Sequence, residues 1–146
     1  MNLFSSIEAS ASGLTAQRLR LDLIASNLAN AETTRTEGGG PYRRKVAIFA
    51  PRDQQFSFRN IFANKLNGSP EGVRVVAVVE DTSPPRRVYM PTHPDADQDG
   101  YVTFPNVDVV TEMVDMMAAT RAYEANVTAI EAAKSMMQKA LEMLRV

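Results

Sequence analysis

Every proline in this chain lies between Pro41 and Pro105, and six of its seven glycines fall between Gly38 and Gly100. The flanks, residues 1–37 and 106–146, contain no proline and one glycine, Gly13. Proline removes a helix donor and clashes with the preceding turn, so both residue types break regular helices. The chain must therefore fold as two long segments open to helix around an irregular middle. Short β-branched runs in that middle mark strands, which makes the fold class α+β.

In the N-terminal flank Ile7, Leu14, Leu21 and Leu28 recur every seven residues, while the companion positions Leu3, Ser10, Gln17, Ile24 and Ala31 are mixed. The C-terminal flank is more regular. Val109, Met116, Tyr123, Ile130, Met137 and Leu144 form one series, and Met113, Thr120, Val127, Lys134 and Leu141 a second. The two alternate by three and four, the spacing of a coiled-coil seam. Helices are expected over 3–32 and 107–144, roughly 45 and 57 Å long, against a domain diameter of about 30 Å. Asn106 or Asp108 is expected to cap the second, with Glu112 in its first turns. A further stripe, Val110, Val114, Met117 and Ala118, widens the apolar face beyond what one partner helix covers. This favours helices shared with neighbouring subunits over a self-contained hairpin. Asp115 is expected on the outer, acidic part of the same helix.

The middle, residues 35–105, offers four strands: KVAIF from Lys45, VRVVAVVED from Val73, RRVYM from Arg86 and GYVTF from Gly100. Four short strands suit a small antiparallel sheet. The organisation expected is thus residues 1–34 and 106–146 as helical flanks around a β-rich middle domain.

Composition excludes several chemistries. With 16 basic and 17 acidic residues the formal net charge is −1, so no global charge points to nucleic acid or an anionic membrane. No cysteine is present, which removes disulfides, thiolate metal sites and cysteine nucleophiles. The single His93 makes no zinc site by itself and has no nucleophile to serve. The run VRVVAVV is far too short to span a bilayer, and MNLFSSIEASASGLTAQRLR lacks a signal peptide's charged start and apolar stretch. The run GGGPYRRK has no GK[ST] and leads into a strand, so it reads as a turn and not a phosphate cradle. Arg43, Arg44, Lys45, Arg86 and Arg87 read as solvated or partner-facing charge, because no aromatic series interleaves with them. Nothing in the spacing defends a catalytic triad or a carboxylate pair. The chain is not expected to be an enzyme or to need a cofactor.

One motif argues otherwise. Asp95, Asp97, Asp99 and Gly100 match positions 1, 3, 5 and 6 of an EF-hand calcium loop. Position 12, which should be a bidentate glutamate, is Asn106; Pro91 and Pro94 block the entering helix and Pro105 the exit. A plain Asx turn uses the same carboxylates. A calcium module is therefore the alternative reading, and no metal site is expected.

SNLANAETT (Ser26 to Thr34), GGPYRRK, DADQDGYVTFPNVDVVTEMVDMMAATRAYEANV and AAKSMMQKALEM together resemble the flagellar axial proteins, the rod and hook subunits, and within them the proximal-rod members. The resemblance covers about two-thirds of the chain, with residues 50–72 carrying little of it. It implies a structural subunit whose N- and C-terminal helices pair as a coiled-coil-like inner domain beside the β-rich domain. Such subunits polymerise helically into the drive shaft and export channel wall of the basal body. Their implied partners are other rod subunits, proximal and distal, adaptor proteins at the MS ring and rod base, and the flagellar type III export apparatus that delivers them uncleaved to a rod crossing the periplasm. Nucleic acid and membrane insertion are not implied. Motif match assigns packing to Asn27, Asn30, Met113, Ala118, Arg121, Tyr123, Glu124 and Asn126, with helix capping as the competing role for Asn30. The seven-residue series add Leu14, Leu21, Leu28, Met116, Val127, Ile130 and Met137. Another rod paralogue is the alternative within the family.

Overall fold

A computed structural model describes residues 3–52 and 72–143. In chain order the elements are α1 (Leu3–Ala29), β1 (Lys45–Pro51), β2 (Val73–Glu80), β3 (Arg86–Tyr89), β4 (Tyr101–Phe104) and α2 (Val109–Met143). The α+β expectation holds, with two long helices packed together. Leu144 and Arg145 lie outside the described residues.

Local chemistry ends α1 and starts α2. The side-chain amide of Asn30 donates to the Ser26 carbonyl at 2.8 Å and its Oδ1 accepts the Thr33 hydroxyl, so Asn30 caps the end of α1. At the start of α2 the Asp108 carboxylate accepts the Val110 N–H at 3.1 Å and the Thr111 hydroxyl at 2.8 Å, while its carbonyl accepts the Glu112 N–H. Asp108, not Asn106, is thus the N-cap. The Thr111 hydroxyl, then the Val110 N–H, hold its carboxyl below the usual carboxylate range.

The strands form two separate two-stranded ladders instead of one sheet. The Asp81 N–H donates to the Arg44 carbonyl and the Arg52 N–H to the Gly72 carbonyl, which makes β1 and β2 antiparallel. Strands β3 and β4 pair antiparallel with Val88 opposite Val102 and Tyr89 opposite Tyr101. Proline pairs at 84–85 and at 91 and 94 fence β3 on both sides, which keeps that ladder short.

Two compact units divide the chain: Met1–Leu19, Ile48–Ala77 and Thr120–Val146 form one, Arg20–Ala47 and Val78–Ala119 the other. In the first, Ala16 and Ala133 are buried, and the Ser12 hydroxyl oxygen accepts the Val73 N–H at 3.0 Å. Gly72 sits at φ +108, where a Cβ would stand 2.5 Å from that oxygen, so glycine is required there twice over. Gly13 lets α2 approach α1: a Cβ there would lie 3.1 Å from the Asn126 side chain. The second unit buries Ile24, Ala31, Val102, Pro105 and Ala119. Among the described residues no helix is long and apolar enough to cross a membrane.

Candidate functional site

Among the described residues two polar side chains of the second unit, Asn27 and Glu112, are buried, each 1% exposed. A buried amide needs four partners and a buried carboxylate needs donors on both oxygens. Asn27 Oδ1 accepts the Lys45 N–H at 2.9 Å and the Tyr42 hydroxyl at 3.0 Å. Its Nδ2 donates to the Lys45 carbonyl at 3.0 Å and to Glu112 Oε2 at 3.1 Å. Glu112 Oε1 takes the Arg44 Nε–H, and the same guanidinium reaches Asp115 Oδ2 at 3.4 Å. Arg20 meets the other oxygen of Asp115 at 3.1 Å. One amide therefore joins α1, the start of β1 and the first turns of α2. Because Asn27 meets Glu112 and Arg20 meets Asp115, the helices run antiparallel there.

Two sequence expectations change here. Arg44 is not solvated charge; it neutralises a buried carboxylate. Asp115 is not on an outer acidic face; it is the shared partner of Arg20 and Arg44. Arg43 does remain exposed. The neighbouring Asn106 accepts the Arg44 N–H at 3.4 Å through Oδ1, while its buried Nδ2 has no partner.

The seven-residue series are placed as follows. In the first unit Leu14, Tyr123, Asn126, Val127, Ile130 and Met137 are half-buried, while Arg121 and Glu124 are exposed. In the second, Leu21, Leu28, Asn30 and Met116 are half-buried, Asn27 is buried, and Met113 and Ala118 are exposed. The series from Met116 to Met137 thus faces inward. Its expected companion does so only at Val127: Met113, Thr120, Lys134 and Leu141 are exposed. The buried or half-buried companion lies one residue earlier, at Glu112, Ala119, Asn126 and Ala133. In α1 the close-contact row likewise precedes the leucines by one, at Gly13, Arg20 and Asn27. Gly13 receives Asn126 and Asn27 receives Glu112.

This shift leaves an apolar stripe outward on α2. Val110 is 69% exposed, Met113 53%, Val114 56% and Met117 55%. Their spacing of three and four puts them on one helix face. Exposed apolar patches of this kind mark interaction surfaces.

The 93–102 loop is organised as a turn. Asp97 Oδ1 accepts the N–H groups of Tyr101 at 2.8 Å and Asp99 at 3.0 Å, and Oδ2 takes Arg87 at 2.6 Å. The Tyr101 N–H, with help from Arg87, holds the Asp97 carboxyl below its usual range. Asp95 receives the Thr34 hydroxyl at 2.7 Å. Gly100 sits at φ +78. The Asp95 and Asp97 carboxylates are spent on separate local partners, and among the described residues no cluster of three metal-ligating side chains converges.

Sequence comparison agrees at both ends and along the whole length. Residues 7–35 match the family described as "Flagella basal body rod protein", and residues 98–143 match "Flagellar basal body rod FlgEFG protein C-terminal". The flagellar basal-body rod protein FlgC of Borreliella burgdorferi is 50% identical, covering 99% of this chain and 99% of its own. The chain belongs to the flagellar basal-body rod protein family. Its FlgC relatives in Bacillus subtilis and Escherichia coli are 48% and 42% identical, each over 97% of this chain. As a member of this family the chain is a structural rod subunit of the flagellar basal body, not an enzyme, and it assembles with other basal-body components. For a rod subunit the features that matter are helix placement and exposed helix faces. The Asn27–Glu112 network joins the two helices, and the outward stripe of α2 is an exposed helix face. Sequence reasoning selected Asn27 but missed Tyr42, Arg44 and Glu112. The available signal was their frame: Asn27 and Glu112 each stand one residue before an apolar series.

Proposed function

We propose that this rod subunit belongs to the proximal rod and joins its neighbours through the outward stripe of α2. Residues 1–34 and 106–146 serve as the inner helical domain that polymerises around the export channel, and residues 35–105 as the β-rich domain beside it. The neighbours are proximal and distal rod subunits and, at the base, adaptor proteins of the MS ring. Delivery is through the flagellar type III apparatus without cleavage, and the rod crosses the periplasm. The packing residues carried over from the motifs, Ala118, Arg121 and Glu124 among them, are assigned to contacts with those neighbours.

The observation that carries the reading is the stripe Val110, Met113, Val114 and Met117, apolar and exposed on a helix whose opposite face is already occupied. Burying such side chains is favourable by about 1.5–3 kcal/mol each when fully covered, and a repeating assembly covers them in every copy. The test is Val114→Asp in cells lacking the native gene. The side chain is exposed, so the purified chain should keep its melting temperature, while rods should fail to grow and cells should not swim. Normal swimming by cells carrying Val114→Asp would remove the stripe from assembly.

A further inference from the structure

The apolar part of the helix pairing repeats every seven residues, and a repeat cannot by itself choose a register. Ile7, Leu14, Leu21 and Leu28 on α1, and Met116, Tyr123, Ile130 and Met137 on α2, present like faces to like faces after a slip of one heptad. The closest-packed positions do not forbid the slip either, because Gly13, Ala119 and Ala133 are small. With Gly13 against Asn126 and Asn27 against Glu112, one such slip brings Ala133 opposite Gly13 and Ala119 opposite Asn27. Leucine series still meets methionine series. What fails is polar: the Asn27 amide then faces a methyl group, and Glu112 loses one of its two donors.

We propose that Asn27, Arg44 and Glu112 form a register lock that selects one helix pairing from an otherwise degenerate set. A single buried asparagine is an established way for paired helices to specify register at some expense of stability. Here the device is threefold. The Asn27 amide engages both backbone groups of Lys45 as well as Glu112, so the start of β1 is indexed together with the helices. Arg44, one residue before β1, closes the other side of the carboxylate. Within this unit the lock also fixes where the outward stripe stands, because Val110, Met113 and Val114 flank Glu112 on the same turns of α2. That consequence rests on the stripe being the assembly face; the lock itself does not.

The chain has no cysteine, so introduced pairs report register without ambiguity. Gly13→Cys with Asn126→Cys reads the native pairing, and Gly13→Cys with Ala133→Cys reads the slipped one. In the full-length chain under equilibrating thiol–disulfide conditions, the native disulfide should exceed the slipped one by at least about tenfold. In the background Asn27→Leu, Arg44→Met, Glu112→Leu the ratio should fall toward about one, while the melting temperature falls, because the Lys45 backbone groups and the Tyr42 hydroxyl lose their Asn27 partners. An unchanged ratio in a folded triple variant overturns the proposal. If the triple variant does not melt cooperatively, Glu112→Gln decides. Its NH2 faces a donor from Asn27 or Arg44, and the ratio should drop by about threefold or more; no drop overturns the lock. Motility scored on Val114→Asp tests the stripe separately, so either idea can fail alone.

Discussion

Removing Arg44 tests the buried network most directly. Arg44→Ala leaves the Glu112 carboxylate, 1% exposed, with Asn27 Nδ2 as its remaining donor and takes one cation from Asp115. Deleting one partner of a buried ion pair costs about 3–5 kcal/mol, because the surviving charge is left desolvated. The Arg44 side chain is 26% exposed, so water enters the space it vacates and the lower part of that range applies. A loss of about 3 kcal/mol corresponds to a melting temperature lower by roughly 6–12 °C for a chain of this size. The internal standard is Arg52→Ala. Arg52 pairs with Glu8 at 3.2 Å, but both side chains are more than half exposed, so its loss should cost under about 1 kcal/mol. Arg44→Met with Glu112→Leu removes both charges and should recover most of the deficit. The assay is thermal unfolding followed by circular dichroism, with calorimetry to check that one transition is being read. If Arg44→Ala melts within about 1 kcal/mol of Arg52→Ala, Glu112 is not held by its partner and the reasoning fails.

Three further outcomes follow from the same contacts. Asp81, Asp97 and Asp108 all have depressed carboxyl pKa values, each led by a hydrogen bond: the Ser83 hydroxyl, the Tyr101 N–H and the Thr111 hydroxyl respectively. Their stabilisation is complete above the ordinary carboxylate pKa and is lost as pH falls through the depressed values, so melting temperature should be flat near neutrality and drop below about pH 4; Asp108→Asn, which keeps a capping side chain, should make that drop shallower. Calcium at about 1 mM should leave the melting temperature unchanged, since a functional loop needs a bidentate glutamate where Asn106 stands; a calcium-dependent rise abolished by Asp95→Ala would restore the metal-site reading. Gly13→Leu should cost about 1–3 kcal/mol by overpacking against Asn126, whereas Gly13→Ala should be near neutral, its helix-propensity gain of about 1 kcal/mol offsetting the 3.1 Å contact; equal melting of the two variants would mean that the helices do not approach closely at Gly13.

Much of the fold was legible because backbone chemistry is local. Proline and glycine placement fixed where helices are permitted, and β-branched runs between turns located all four strands to within a few residues. The separation of those strands into two ladders was not legible. Pairing depends on which turns bring which edges together, and β1 and β2 are too far apart in sequence for turn type to dictate their pairing. The Asp95–Asp99 loop was read correctly as a turn, since the prolines on either side and the residue at position 12 argue from steric and ligand requirements that hold in any fold.

The helix seam shows where pattern reading stops. Heptad analysis assumes that the residues facing a partner are the large apolar ones. In α2 that assumption found Met116, Tyr123, Ile130 and Met137, but of its companion row only Val127 is half-buried while Met113, Thr120, Lys134 and Leu141 are exposed; the row facing inward is Glu112, Ala119, Asn126 and Ala133. Close helix approach reverses the usual weighting: where Gly13 and Ala16 line α1, small residues fit inside, and the buried polar side chains Asn27 and Glu112 are admitted because their donors and acceptors are met. Large apolar residues are then left over for the outside. In a self-contained globule an outward row of Val110, Met113, Val114 and Met117 would be an aggregation hazard. In the assembly we propose, that displacement gives each copy one face that closes its own helix pair and another that meets a neighbour. Within the second unit the inner positions Glu112 and Ala119 share their turns of α2 with the apolar outer row, so a substitution that enlarges Ala119 should disturb that row without touching it.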